Sequence, residues 1–144
     1  MVRFCNYRDR CSSEVLLKIK EIDPENKYGT YLFENLKAGE YFSDSDFANS
    51  FASGKFRIKH WGKSKIKSHL QAKNIAPDTI DRALKQIDES DYRRKAKELI
   101  LQKTRTRKLD FILKQKILRS LFQKGYESSL VLDLFSDLEK AQND

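Results

Sequence analysis

Eight positions of this chain recur at a fixed interval of 51 residues. Ile66, Leu70, Lys73, Asn74, Ile75, Ile80, Leu84 and Ile87 return as Ile117, Leu121, Lys124, Gly125, Tyr126, Val131, Phe135 and Leu138. The same interval toward the N-terminus meets Val15, Ile19, Phe33 and Leu36, with a weaker match between Ile19 and Phe33, where Asp23-Pro24 intervenes. A repeat of this length suits stacked helical units, each burying its apolar face against its neighbours. The matched positions describe a helix, a short turn and a second helix. After the first two copies a third helix follows.

The spacing of apolar residues predicts helices throughout, and no window alternates with the period of a strand. Val15, Leu16, Ile19 and Ile22 share a face of a helix over Asp9–Ile22. Pro24 then reads as the first turn of a new helix capped by Asp23, carrying Tyr28, Leu32, Phe33 and Leu36 and stopped by Gly39. Ser43-Asp44 reads as the next cap, before a helix with Phe47, Phe51 and Ile58. Gly62 breaks that pattern. A helix over Lys63–Lys73 follows with Ile66 and Leu70 inward, and Asn74, which tolerates the left-handed backbone of a helix end, stops it. Pro77 opens the next helix, the Asp88–Asp91 run caps another, and the pattern lapses at 102–108. It resumes at Leu109, stops at Gly125 and ends in an amphipathic helix capped by Ser128. With five Gly, two Pro and 35% charged residues among 144, the composition fits an all-α chain with a solvated surface.

The charge is segregated. From Phe47 to Pro77 there are seven bases and no acid, and from Leu99 to Tyr126 eight bases and only Asp110. The rest of the chain holds fourteen bases and twenty acids, against a formal net charge of +8 overall. Such separation points to a polyanionic partner. The candidate contacts are Lys55, Arg57, Lys59, Lys63, Lys65, Lys67 and Lys73, with Arg105, Arg107 and Lys108 as a second group. Lys63 and Lys67, four apart, share a helix face, as do Lys55 and Lys59. Trp61, the only tryptophan, stands among them just before Gly62. Its expected role is packing between units, with the lysines built on the scaffold it holds and not bound to its ring.

No catalytic pattern emerges. There is no glycine-rich phosphate loop and no short-range Cys–His pairing, and Cys5 and Cys11 with His60 and His69 do not make a zinc shell. The expectation is a protein without catalytic activity, cofactor or metal. Cys11 reads as an inward-packed thiol, and the histidines as satisfied or solvent-facing groups. No apolar run reaches the roughly 20 residues of a membrane span, and the N-terminus lacks the apolar core of a signal peptide, so the expected location is cytoplasmic.

Several runs carry a resemblance. These are Gly39-Glu40-Tyr41-Phe42-Ser43-Asp44 with Phe47-Ala48, Lys55-Phe56-Arg57 with Trp61-Gly62-Lys63 and Ile66, the endings Lys73-Asn74-Ile75 and Lys124-Gly125-Tyr126, and the opening 7–14. In them the chain resembles the RecX family, regulatory partners of the RecA recombinase, with Asn74 where that family usually has glycine. The resemblance implies tandem three-helix repeats in an elongated, curved array: residues 1–60, 61–104 and 105–144, the last mainly two helices because little chain follows Leu138. It also implies a monomeric modulator that binds the RecA–single-stranded DNA filament, holds duplex DNA weakly at most, and most often inhibits RecA in DNA repair and recombination. A stand-alone helical nucleic-acid-binding module is the alternative.

Overall fold

The computed structural model describes residues 1–143, so Asp144, part of the short tail after Leu138, lies outside the described residues. Among the described residues there are nine helices and no strand. They are α1 (Val2–Tyr7), α2 (Ser12–Ile22), α3 (Gly29–Ala38), α4 (Asp44–Lys59), α5 (Lys63–Ala72), α6 (Pro77–Lys85), α7 (Glu89–Thr104), α8 (Phe111–Lys124) and α9 (Ser128–Asn143). The chain folds as two compact units, one of Met1–Ser53 with His69–Gln86, the other of Gly54–Ser68 with Ile87–Asp144.

One way of ending a helix is used three times. Leu36, Leu70 and Leu121 each offer a carbonyl to the N–H five residues on, at Tyr41, Ile75 and Tyr126, at 3.0, 3.2 and 2.9 Å. The residue between, four after each leucine, takes the left-handed conformation: Glu40 at φ 57°, Asn74 at 59° and Gly125 at 100°. This closure satisfies carbonyls that a bare helix end leaves unpaired. The matched stops at Asn74 and Gly125 therefore have one geometry. At α3 the left-handed residue is Glu40, while Gly39 stays at φ −83°, so the expected glycine stop is displaced by one residue.

In the first unit the helix expected from Pro24 begins only at Gly29. Asn26 sits at φ 53°, a conformation no right-handed helix can continue through. Asp23 still receives a local donor, the Tyr28 N–H at 2.8 Å. Helix α1, absent from the sequence expectation, supplies Cys5 to a core with Val15, Ile19 and Leu36, bordered by Phe4, Leu32, Phe33 and Phe42. On α2 only Val15 and Ile19 of the expected stripe are inside, while Leu16 and Ile22 are exposed because α3 covers one side alone. Helix α2 starts at Ser12 behind Cys11, which is fully buried as expected. Its amino end is held by Asp44, whose carboxylate accepts from the Ser12 N–H at 2.7 Å and the Ser12 hydroxyl at 2.9 Å. Ser43 caps α4, accepting from the Asp46 N–H at 3.1 Å.

Glu14 is the only buried charged side chain among the described residues, at 8% exposed. Arg8 reaches it at 2.5 Å, Lys73 at 3.5 Å and Arg10 at 4.0 Å, and the Cys11 N–H donates at 3.3 Å. Burial opposes its ionisation. The Arg8 hydrogen bond, the Cys11 N–H and the Lys73 charge outweigh that penalty and hold the carboxyl below its usual range.

In the second unit α7, α8 and α9 pack on one another, with Ala96, Ile100, Leu113, Ile117, Leu121, Val131, Leu134 and Phe135 inside. The caps are carboxylates: Asp88 accepts from the Asp91 N–H and Asp110 from the Leu113 N–H. The α4 segment in this unit buries Phe56. Ile58, two residues on and so on the far side of the helix, is exposed, contrary to its place in the expected stripe.

The start of α5 meets the end of α8 backbone to backbone. The Gly62 N–H donates to the Lys124 carbonyl at 2.7 Å and the Ser64 N–H to the Gly125 carbonyl at 3.0 Å. A β-carbon on Gly62 would lie 2.2 Å from the Gly125 carbonyl carbon, and one on Gly125 would lie 2.5 Å from the Lys65 β-carbon. Both glycines are needed for this approach, and Gly125 also for its positive φ.

Two stability predictions follow from these contacts. Gly62→Ala must separate two backbones and is expected to cost about 3 kcal/mol, an overpacking penalty, by urea unfolding. Gly54→Ala, where an added carbon meets nothing within 4 Å, serves as the neutral comparison. Glu14→Gln is expected to destabilise the protein by about 1–3 kcal/mol at neutral pH, since it strips a buried charged acceptor from three cations. A depressed folded pKa contributes stability above the unfolded carboxylate value of about 4.3, and that stability is lost as pH falls through the folded value. The gap between wild type and Glu14→Gln is therefore expected to close on acidification, measured as the difference in unfolding midpoint between neutral pH and the acid limb.

Candidate nucleic-acid interface

The basic segment that interrupts the acid distribution lies in the second unit, from the last turns of α4 to the first turn of α5. His60 ends α4 in the left-handed conformation, φ 60°, with its N–H on the Phe56 carbonyl at 3.1 Å, and the Trp61 N–H reaches the Lys55 carbonyl at 3.1 Å. The His60 carbonyl accepts from the Tyr126 hydroxyl at 3.0 Å. This strained residue is fastened on both sides. Among the described residues its Nδ1 is buried without a hydrogen-bond partner, so the expectation of a satisfied or solvent-facing imidazole does not hold for His60. His69, in the first unit, is exposed and stacks on Phe51 at 6.3 Å.

Trp61 is half-buried, and two ammonium groups lie over its ring, Lys55 at 4.9 Å and Lys65 at 4.5 Å from the centroid. The expected separation between ring and lysines is thus wrong. The sharp turn at His60 and Gly62 brings Lys55 of α4 and Lys65 of α5 to the same indole, and each cation gains its quadrupole attraction. The arrangement holds two positive charges close together on a partly apolar platform.

The remaining candidates divide by partner. Lys63 is drawn away from solvent. Its Nζ binds the Glu89 carboxylate and sits 4.6 Å above the Tyr92 ring, and its backbone N–H donates to the Tyr92 hydroxyl at 2.9 Å. Tyr92 stacks on Tyr126 at 5.2 Å and donates to Glu127 at 2.7 Å. Burial pushes the pKa of both phenols above its ordinary value, with the Glu127 charge adding to the effect, so they stay neutral donors. Lys73 belongs to the first unit and pairs with Glu14. Arg57, Lys59 and Lys67 are exposed and make no ion pair among the described residues. Arg105, Arg107 and Lys108 are also exposed, on the connection between α7 and α8. Ile66 and Leu70 are fully buried and Gly62 is buried.

Sequence spacing located the cations but not their partners. Glu89, Tyr92 and Glu127 lie tens of positions from Lys63, and no local signal announces them. The 26-residue offset between Lys63 and Glu89 becomes visible only in the fold. Among the described residues no group of three His, Cys, Asp or Glu side chains could hold a metal ion, and no helix is long and apolar enough to cross a membrane.

Comparison with known proteins gives a consistent answer. The family described as "RecX, second three-helix domain" matches residues 43–84, the span of α4 to α6. The Regulatory protein RecX of Streptococcus sanguinis is 26% identical over 134 residues, which are 93% of this chain and 52% of that protein. That of Halalkalibacterium halodurans is 29% identical over 145 residues, 99% of this chain and 54% of that protein. The chain spans about half the length of the curated relatives it matches. Among solved structures, a crystal structure of regulatory protein RecX superposes with a TM-score of 0.83 at 26% identity, covering 94% of this chain and 68% of the other. The fold is shared as well with RecX from Lactobacillus salivarius, at a TM-score of 0.85, 20% identity, and coverage of 96% and 91%. Along nearly its whole described length the chain is similar in sequence and in fold to RecX proteins.

Proposed function

We propose that this protein regulates the RecA recombinase by binding the RecA–single-stranded DNA filament and lowering its activity in DNA repair and recombination, without catalysis of its own. The reading is supported by the name shared among its relatives, Regulatory protein RecX. The observation that carries it is the set Arg57, Lys59 and Lys67, exposed and, among the described residues, without an intramolecular carboxylate, near a tryptophan whose ring Lys55 and Lys65 both overlie. Cations with no internal partner keep their full charge for an outside anion. A nucleoprotein filament is a dense one, and each phosphate neutralised releases condensed counterions. Arg57 adds a planar fork suited to phosphate or carboxylate. Lys63 and Lys73 contribute field more than contact, since each already faces a glutamate.

The deciding experiment titrates the protein into a RecA–single-stranded DNA ATPase assay at two salt concentrations. Wild type is expected to inhibit at substoichiometric amounts, less so at high salt. The variant Arg57→Glu, Lys59→Glu, Lys67→Glu is expected to keep its melting midpoint and weaken inhibition. Its logarithmic salt slope should fall by about two, since each single-strand phosphate left unneutralised removes roughly 0.7. Undiminished inhibition by the folded triple variant would contradict this reading. Tight, sequence-selective binding to bare duplex with RecA unaffected would favour a stand-alone nucleic-acid-binding module.

A further inference from the structure

Helix α8 has an outward face unlike any expected of a solvated helix. Its buried stripe is Leu113, Ile117 and Leu121. The opposite side carries Phe111, Ile112 and Phe122, exposed by 75, 60 and 67%, together with Gln115, Lys116 and Arg119. No acid occurs anywhere in Phe111–Lys124. Phe111 and Phe122 are eleven residues apart, which returns them to nearly one azimuth and separates them by about 16 Å along the axis. A shallow groove of about 350 Å³ runs along this face, lined by α8 alone. Among the described residues neither Lys116 nor Arg119 makes an ion pair or a hydrogen bond, whereas Lys114, on the flank, is already held by Glu139.

Large apolar groups rarely stay in water as a contiguous patch on a soluble surface unless something covers them. The charge decides between occupants. A second copy of the same face would bring Lys116 and Arg119 against their own likeness with no acid between, which is repulsive. An anionic partner is required. Paired rings offer a stacking surface to flat groups, side-chain amides meet base edges, and cations beside the rings meet phosphates. The exposed Arg105, Arg107 and Lys108 continue the acid-poor charge into the residues before Asp110. We propose that the outward face of α8 binds unpaired nucleic acid directly, stacking bases on Phe111 and Phe122 while Lys116 and Arg119 hold the backbone. This surface is separate from the cations around Trp61 and does not need RecA.

The test uses fluorescence anisotropy with a labelled short oligothymidylate, no RecA present, at several salt concentrations. Phe111→Ala with Phe122→Ala is expected to weaken binding about tenfold or more, because stacking on an aromatic side chain commonly contributes that much. Its salt slope should stay that of wild type. Lys116→Ala with Arg119→Ala is expected to lower the slope by about 0.7 for each charge removed. Phe111→Trp with Phe122→Trp should bind at least as tightly as wild type. An abasic strand of equal length should bind wild type no better than the oligothymidylate binds the double alanine variant. All four phenylalanine substitutions are exposed and helix-compatible, so a melting curve separates lost binding from lost fold. Wild-type affinity in the folded double alanine variant overturns the proposal and leaves an acidic protein helix as the occupant. Equal affinity for abasic and base-bearing strands overturns it too. RecA ATPase inhibition, read in parallel, is expected to survive the double alanine change, so failure of this surface and failure of the regulatory reading give different results.

Discussion

Two helix ends that complete each other organise the second unit. The first N–H groups of α5 have no partner within their own helix, and neither have the last carbonyls of α8. Gly62 and Ser64 donate where Lys124 and Gly125 accept, so each end supplies what the other lacks. The opposed partial charges of the two helix termini add to the attraction. The contact leaves no space for a side chain at either glycine. Because α5 is fixed at its first residues, the position of everything nearby is determined. Lys65 is turned over Trp61, the Lys63 N–H meets the Tyr92 hydroxyl, and Tyr126 reaches back to the His60 carbonyl. A cationic surface on this base is preorganised, and less ordering entropy is lost when it binds.

Electrostatics then sort the basic residues into two kinds. Lysines and arginines that face Glu14 or Glu89 serve the fold. Glu14 can remain charged and buried only because cations and an N–H surround it, and removing any of them exposes the cost of its desolvation. Among the described residues Arg57, Lys59 and Lys67 make no such pair, and they are exposed to solvent. Acid-free stretches of sequence overstate the available charge, since a carboxylate brought in by tertiary contact can silence a lysine whatever its neighbours in the chain.

Much of the fold was legible because helices and their ends are written locally. The apolar stripes of α5, α6, α7 and α9 were found by period, and so was that of α8 apart from Ile112, which was expected inside with Leu113, Ile117 and Leu121 but lies one residue off that face and is exposed. The stop at Asn74 and its counterpart at Gly125, read as one signal, share one hydrogen-bonded geometry with α3. Asp88 was recognised as a cap because a carboxylate before an amphipathic run has that use. What escaped depends on conformations that sequence only weakly announces. Glu40, Asn26 and His60 occupy left-handed backbone without being glycine, so the turns they make fell one or several residues from where Gly39 and Pro24 suggested. Helix α1 is too short to show a period. At the site, the residues were legible and their roles were not. The lysines around Trp61 were expected not to bind its ring, and two of them, Lys55 and Lys65, lie over it.

If the joint between the ends of α5 and α8 organises the unit as argued, its amides should be among the slowest to exchange. The direct measurement is native-state hydrogen exchange, resolved by residue, at the N–H groups of Gly62, Ser64 and Tyr126. The account predicts protection close to that of the buried turn around Ile117, with exchange requiring global opening of the unit. Exchange of Gly62 and Ser64 as fast as that of an unpaired first turn, while Ile117 stays protected, would contradict it.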